Sequence, residues 1–274
     1  MRIRIVDAFT DRPFAGNPAG VLLLDTDTFP DDDRLQRIAA EVNLSETAFA
    51  HPLPEGAEAD WALRWFTPTT EVKMCGHATL ATAHVLHTTG AATGTVRFAT
   101  LSGVLSATAD DSGTITLDFP TARLTALDVP QGTDGAADAL GARILSAHHT
   151  SPHIDYLLVE VADETTVRTL SPDLAALART GHHGCAVTAA AEDPARGYDF
   201  VSRFFAPAFG TDEDPVTGSA HTALAPFWSA RLGRTELTGF QASARGGLVR
   251  TALHGDRTLL TGTAVTVIDG ELLT

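Results

Sequence analysis

Apolar positions recur along this chain at two spacings. Leu35, Ile38, Ala39 and Val42 fall at i, i+3, i+4 and i+7, the stripe of a helix with one face in a core. Asp31, Asp32 and Asp33 precede it, where negative charge complements the positive end of the helix dipole. Asn43 is the expected stop. Elsewhere the period is two, or the apolar run is short. Ile3, Ile5 and Ala8-Phe9 predict an opening strand, and residues 21–24, 44–50 and 61–66 predict three more. Residues 10–20, with two prolines and two glycines, read as a turn-rich loop. Residues 96–101, 104–109 and 114–119 predict a meander turning at Ser102-Gly103 and at Asp111-Ser112-Gly113.

Beyond that point residues 120–130 read as a crossing to a second half. A short helix is predicted over 138–145 and a strand over 156–161. Ser171-Pro172 predicts a helix start, serine as the cap and proline in the first turn. Strands are predicted at 185–190, 198–205, 237–242, 247–253 and 258–268. Strands and helices mixed in this way indicate an α+β or mixed α/β architecture.

One stretch occurs twice. Arg64-Trp65-Phe66-Thr67-Pro68 leads through a loop to Cys75-Gly76-His77-Ala78, and an apolar helix follows. Arg203-Phe204-Phe205-Ala206-Pro207 leads through an acidic loop to Gly218-Ser219-Ala220 and a second apolar helix. The copies lie about half of the 274-residue chain apart. That distance implies two similar halves rather than a solenoid, whose period is roughly 20–50 residues. A helix apolar all round is normally buried. Each half is therefore expected to wrap sheet around a central helix, with the two helix N-termini facing one cleft. A glycine opening a helix leaves backbone N–H groups pointing outward in the field of the dipole, a ready site for a carboxylate or phosphate.

The length suits two domains. Net charge is −15, so nucleic acid and anionic membrane are not expected partners. Two cysteines, Cys75 and Cys185, make no disulfide framework. The start of the chain lacks a signal peptide's apolar core, and no apolar run approaches a membrane span; a cytoplasmic protein is expected.

Three side chains could carry chemistry. Glu46 sits in Asn-Leu-Ser-Glu-Thr among small and apolar neighbours. Partial desolvation there favours the neutral carboxyl and suits proton shuttling; an ordinary exposed strand glutamate is the alternative. His77 follows Gly76 at the helix mouth and could take or give a proton near neutral pH, or be structural. Asp214 ends Asp-Glu-Asp ahead of Gly218; it could orient a substrate or His77, or belong to a solvated loop. Cys75, His77, His182, His183 and Cys185 could ligate a metal, yet Cys-x-His is no standard zinc pair. The adjacent histidines His148-His149 and His182-His183 diverge on a strand. No metal is expected. Neither glycine belongs to a dinucleotide or phosphate-loop motif, so no nucleotide is expected either.

At these residues the chain resembles the PhzF-like family, named after the phenazine-biosynthesis isomerase. The matching segments are Val6-Asp7-Ala8-Phe9-Thr10, Phe14-Ala15-Gly16-Asn17-Pro18, Asn43-Leu44-Ser45-Glu46-Thr47, Arg64-Trp65-Phe66-Thr67-Pro68, Cys75-Gly76-His77-Ala78-Thr79 and Asp214-Pro215-Val216-Thr217-Gly218-Ser219-Ala220. The resemblance implies the diaminopimelate-epimerase-like α+β fold of two pseudo-symmetric halves. Residues 1–119 would form the first, with strand 264–274 returning to it, and residues 120–263 the second. It implies a homodimer and a mechanism without cofactor. It casts Glu46, His77 and Asp214 as catalytic, and Ser45, Gly76, Gly218 and Ser219 as substrate-binding. The leading expectation is an isomerase that moves a proton on a small carboxylated substrate. The wider fold includes racemases with two facing cysteines. Cys75 resembles the first, but Asp214-Pro215-Val216-Thr217 stands where the second would be. An epimerase using Cys75 with an unlike partner is one alternative, and a non-catalytic small-acid binder is another.

Overall fold

A computed structural model describes residues 1–129, 133, 135–150 and 154–273. The chain separates into two compact units, Met1–Phe119 with Thr261–Thr274, and Pro120–Leu260.

The first unit opens with strand β1 (Arg2–Ala8), which pairs antiparallel with β2 (Asn17–Leu23) on one side and with the C-terminal strand Ala264–Glu271 on the other. Strand β2 begins at Asn17, inside the stretch expected to be loop. Pro18 is tolerated there because it lies in the first turn of pairing, opposite Asp7. Helix α1 (Asp32–Val42) follows the predicted stripe. The Asp31 side chain accepts from the Arg34 N–H at 2.9 Å, and Asn43 closes the helix in the left-handed region with its N–H on the Ala39 carbonyl. Leu35, Ile38 and Ala39 pack on Leu22, Phe49 and Phe66. Strand β3 (Glu46–Pro52) runs parallel to β2 and antiparallel to β4 (Trp61–Phe66). The two-residue β5 (Glu71–Val72) folds back on β4. Helix α2 (Gly76–Thr88) is buried on nearly every side. Its threonines are tolerated because the Thr79 and Thr82 hydroxyls donate to the Cys75 and Ala78 carbonyls. The meander β6 (Thr95–Thr100), β7 (Gly103–Ala109) and β8 (Ile115–Pro120) completes the unit, with β6 parallel to β4.

In the second unit, the stretch read as a crossing contains strand β9 (Leu124–Leu127); its far end at Pro130 lies outside the described residues. Helix α3 (Ala136–Leu140) is shorter than predicted, because Gly141 turns left-handed and caps it. Strand β10 (Ser146–Thr150), where no separate element was expected, pairs with β9 and with β11 (Tyr156–Glu160). Helix α4 (Glu164–Thr169) was also missed; its buried Glu164 accepts from Tyr198 and Arg168, each at 2.6 Å. The next helix, α5 (Leu174–Ala178), is capped by Asp173 and not by Ser171: the Asp173 carboxylate takes the Ala176 N–H at 2.9 Å, leaving Pro172 outside the helix. Strands β12 (Gly184–Ala190) and β13 (Phe200–Ala206) follow, then β14 (Thr211–Asp214) and helix α6 (Gly218–Leu232).

Pro226 lies inside α6 and cannot donate to the Thr222 carbonyl. The Ala122 N–H takes that carbonyl instead, at 3.2 Å, so nothing is left unpaired and the helix continues. Strands β15 (Glu236–Gln241), β16 (Gly247–His254) and β17 (Arg257–Gly262) close the unit. The single strand expected over 258–268 is two strands.

The pairing order is the same in both units. In the first, β2 is parallel to β3, β3 antiparallel to β4, and β4 parallel to β6; in the second, β11 is parallel to β12, β12 antiparallel to β13, and β13 parallel to β15. The fold is α+β and of the two-halved epimerase type.

Candidate active site

The first helix mouth gathers residues from three elements. Parallel pairing sets Ala19 of β2 opposite Glu46, the first residue of β3, and so brings Asn17 to the same end of the sheet. Cys75, in extended conformation, stands at the N-cap of α2 without a side-chain cap hydrogen bond. His77 sits on that turn, 3% exposed. Its Nε2 lies 3.2 Å from Glu46 Oε2, close enough for an ion pair though off the line of a hydrogen bond. Its Nδ1 lies 3.1 Å from Asn17 Nδ2 and 3.5 Å from Cys75 Sγ. The Ser45 hydroxyl reaches Asn17 Oδ1 at 3.4 Å. Ser45, Asn17, His77 and Glu46 thus form one polar chain.

The proton positions follow from this chain. With the Asn17 amide nitrogen donating, His77 Nδ1 accepts, and a neutral ring carries its proton on Nε2, toward Glu46. An imidazolium needs an acceptor at Nδ1 as well; half a turn of the Asn17 amide supplies Oδ1, and the Ser45 hydroxyl then accepts from the nitrogen. Burial opposes charge on His77 more than any other single influence. The charges of Glu46 and of an ionised Cys75, with the close polar contacts to both side chains, act against it and raise its pKa well above the ordinary 6.5. Burial, and then the Glu46 charge, push the Cys75 thiol up to about 11. While Cys75 keeps its proton its charge contributes nothing, and of the two charges that raise the His77 pKa only that of Glu46 acts.

The second mouth is built differently. Thr217 caps α6, again without a side-chain cap, and its N–H donates to Gln241 Oε1 at 2.8 Å. Its hydroxyl donates to the Asp214 carboxylate at 2.5 Å, and Gln241 Nε2 donates to the Asp214 carbonyl at 2.7 Å. Ser219 stands where His77 stands in the first unit, with Tyr156 Oη 3.1 Å from its hydroxyl. His221, fully buried, donates from Nδ1 to the Thr217 carbonyl; burial lowers its pKa to about 4, which keeps it neutral.

Within the first unit the structure groups Ser45, Glu46, Gly76 and His77, and within the second Asp214, Gly218 and Ser219. Sequence reasoning assigned no role to Asn17, Tyr156 or Gln241. Asn17 was within reach, as part of the Phe14–Pro18 motif; Tyr156 and Gln241 have no local signal. Glu46, Cys75 and His77 hold three ligand-type atoms within 4.8 Å of one another, the arrangement of a proton-transfer cluster and also of a metal-binding trio. Cys185 lies away from the second mouth, in the apolar cluster with Leu157, Val159, Val187 and Phe205, where burial pushes its thiol up to about 12.

Residues 6–270 match the family model described as phenazine biosynthesis-like protein, PhzC-PhzF. The chain belongs to that family. A Pseudomonas aeruginosa protein named as an uncharacterized isomerase is 47% identical over 268 residues, 97% of this chain and 96% of the relative. The crystal structure of a PhzF-family phenazine biosynthesis protein from Enterococcus faecalis superposes with a TM-score of 0.88 at 39% identity, covering 100% of this chain and 99% of that one. A hydroxyproline epimerase from Agrobacterium vitis, crystallised with trans-4-hydroxy-L-proline, superposes with a TM-score of 0.64 at 13% identity over 98% and 91% of the two chains; that likeness shows a shared fold. The chain is an enzyme of the isomerase class, like its curated relatives. Among the described residues no helix is long and apolar enough to cross a membrane.

Proposed function

We propose that this enzyme isomerises a small carboxylated substrate by moving a proton between carbons, without a cofactor, with Glu46 as the acid/base. The observation that carries this reading is the pairing of Glu46 with buried His77 at 3.2 Å, His77 being anchored in turn by Asn17. The Glu46 side chain is 19% exposed, enough for a substrate to reach it and too little for free hydration. As a carboxylate it takes the proton from one carbon; as a carboxylic acid it returns it to another. His77 stabilises the charged form and holds the carboxyl in place. The backbone N–H groups at the Gly76 helix mouth would take the substrate carboxylate, each bond to a charged group contributing roughly 1.5–3 kcal/mol. Gly218, Ser219 and Asp214 complete the proposal as further binding and orienting groups. We infer a homodimer from the family resemblance, and we propose that the enzyme works in the cytoplasm.

The rival reading is an epimerase using Cys75. It is disfavoured because Thr217 stands at the position equivalent to Cys75, and because the Cys75 thiol holds its proton up to about pH 11. The experiment is deuterium incorporation from heavy water into a cyclic dihydro-hydroxyanthranilate-type trial substrate, with circular dichroism as the check on folding. Glu46→Gln is expected to lose about 10²–10⁴-fold in rate, the usual contribution of general acid–base catalysis. A fully active Glu46→Gln beside an inactive Cys75→Ala would overturn the assignment in favour of the epimerase. No exchange into any carboxylated substrate would favour a binding protein.

A further inference from the structure

Of the adjacent histidines, His148-His149 lies on strand β10 and diverges as extended backbone requires, whereas His182-His183, expected to diverge likewise, precedes β12 and sends both side chains toward Asp155. Members of both pairs arrive at the same place. His148 turns inward and meets Phe227 edge-on, with ring centroids 5.4 Å apart. His149 points the other way, and its ring lies 6.0 Å from that of His182. Between them stands Asp155. His149, Asp155 and His182 present ligand atoms that all lie within 4.8 Å of one another. We propose that these three side chains bind a divalent transition-metal ion of the zinc type, with His183 beside them as a further donor.

The backbone explains why the donors converge. Strand β10 pairs antiparallel with β11, His149 opposite Leu157, and Asp155 immediately precedes β11. Strand β12 runs parallel to β11 with Gly184 opposite Tyr156, so the residues just before Gly184 come alongside Asp155. The His183 N–H donates to the Asp155 carbonyl at 3.1 Å and locks that alignment. Three adjacent strand ends therefore supply the three donors, and all of them belong to the second unit.

The chemistry fits as well. Imidazole and carboxylate are ordinary zinc ligands, and a tetrahedral ion with bonds of about 2.0–2.2 Å spaces its donors roughly 3.3–3.5 Å apart. His149 Nε2 lies 2.6 Å from Asp155 Oδ1, and His183 Nδ1 lies 3.5 Å from Asp155 Oδ2. The required spacing falls between the shortest of these and the 4.8 Å limit of the trio, so side-chain rotation brings the donors into place without moving the strands. The His149 and Asp155 side chains are 40% and 37% exposed, which gives an ion a path from solvent and leaves room for a water in the coordination sphere. A bound ion would staple the three strand ends at the start of β11, beside Tyr156, whose hydroxyl meets Ser219. The inference rests on the cluster alone and is independent of the reaction proposed above.

The competing place for an ion is the Glu46, Cys75 and His77 trio, and the test separates the two. Metal-stripped full-length protein is titrated calorimetrically with zinc chloride, as wild type, as Cys75→Ala and as the His149→Ala/His182→Ala double variant. One zinc per chain is expected in wild type and in Cys75→Ala, with affinity at least tenfold weaker in the double variant. Cobalt substitution should give visible bands without the near-ultraviolet charge-transfer band of a thiolate. Zinc should raise the melting temperature of wild type and leave that of the double variant unmoved. If the double variant is misfolded by circular dichroism, the single variants His149→Gln and His182→Gln take its place. Failure of wild type to bind zinc at micromolar concentration, unchanged affinity in the histidine variants, or a thiolate band that disappears in Cys75→Ala would overturn the proposal.

Discussion

The two helix mouths share a frame and differ in chemistry. In each, an arginine on the strand before the mouth forks onto a glutamate of the following short strand. Arg64 Nε and Nη2 donate to the two Glu71 oxygens at 2.6 and 2.8 Å; Arg203 Nε and Nη2 donate to those of Glu213 at 2.7 and 2.8 Å. Each guanidinium also lies over the ring two residues on, Phe66 at 5.0 Å and Phe205 at 4.8 Å. The Arg-x-Phe repeat is therefore a buttress that holds the loop leading into each helix. On that common frame Cys75 answers to Thr217, His77 to Ser219, and Thr79 to His221. Thr47 faces Phe66 while Cys185 faces Phe205, so Glu46 answers to Gly184. A β-carbon at Gly184 would stand 2.3 Å from the Phe204 ring, which leaves no space for a glutamate there. One unit thus carries titrating groups. The other presents Ser219 and Thr217 hydroxyls, with Asp214 behind them. A duplicated scaffold can hold opposite duties once the frame no longer depends on the residues that do the chemistry.

The comparison is most exposed in a kinetic assay. Glu46→Gln should lower kcat by about 10²–10⁴-fold. Ser219→Ala, which on the proposed reading removes one hydrogen bond to the substrate anion, should raise KM about tenfold and leave kcat within about threefold. Equal losses of kcat in the two variants would erase the division of labour.

The buttress sets a stability test. Arg64→Met and Arg203→Met each strand a largely buried glutamate, and breaking such a pair costs about 3 kcal/mol. The Arg203 variant should lose more, since its guanidinium also donates to the Leu170 carbonyl at 2.7 Å, whereas the further partner of Arg64 is the solvent-exposed Asp32 carboxylate at 2.8 Å. Urea unfolding measures both. A neutral result in either would show that the repeat is not structural.

Gly184→Ala should cost about 1–3 kcal/mol, because the Phe204 ring must yield to the new methyl group. Thermal unfolding that leaves the variant as stable as wild type would mean that the second unit could have carried a side chain there after all.

The last effect is set by pH and belongs to the second unit alone. Burial resists the Glu164 charge, but the Tyr198 hydroxyl, the Glu192 N–H and Arg168 overcome it and hold the carboxyl at about 2, below the usual 4.5. A lowered folded-state pKa contributes stability above the unfolded value, and that contribution fades as pH falls toward the folded one. Wild type should therefore exceed Glu164→Gln in stability above about pH 4.5, and the gap should close between there and about pH 2. A gap that does not change with pH would assign the effect to packing.

Much of this was legible in the chain because it is local. The stripe Leu35, Ile38, Ala39, Val42 and the Asn43 stop lie within one helix, and capping depends on neighbours only. Residues 61–66 announced their strand by composition. The motifs around Glu46, Gly76 and Gly218 identified the family, and with it the fold. The errors were also local, where two signals competed. Pro172 suggested a cap at Ser171, yet Asp173 is as good a cap and sits directly before the helix. Gly16 and Pro18 suggested loop, although a strand only has to find a partner, and β1 is that partner.

The residues alone determined the repeat, the uncharged helices that must be buried, and the presence of a carboxyl, an imidazole and a thiol in surroundings of small residues. Only the tertiary structure decided that Asn17 anchors His77, that Gln241 braces Asp214, that Ala122 takes the carbonyl freed by Pro226, and that His149, His182 and His183 meet at Asp155. The physical reason is the same in every case. Helix and strand periods are written by neighbours a few residues apart, whereas hydrogen-bond partners are chosen by strand register, which brings together groups that the sequence keeps far apart.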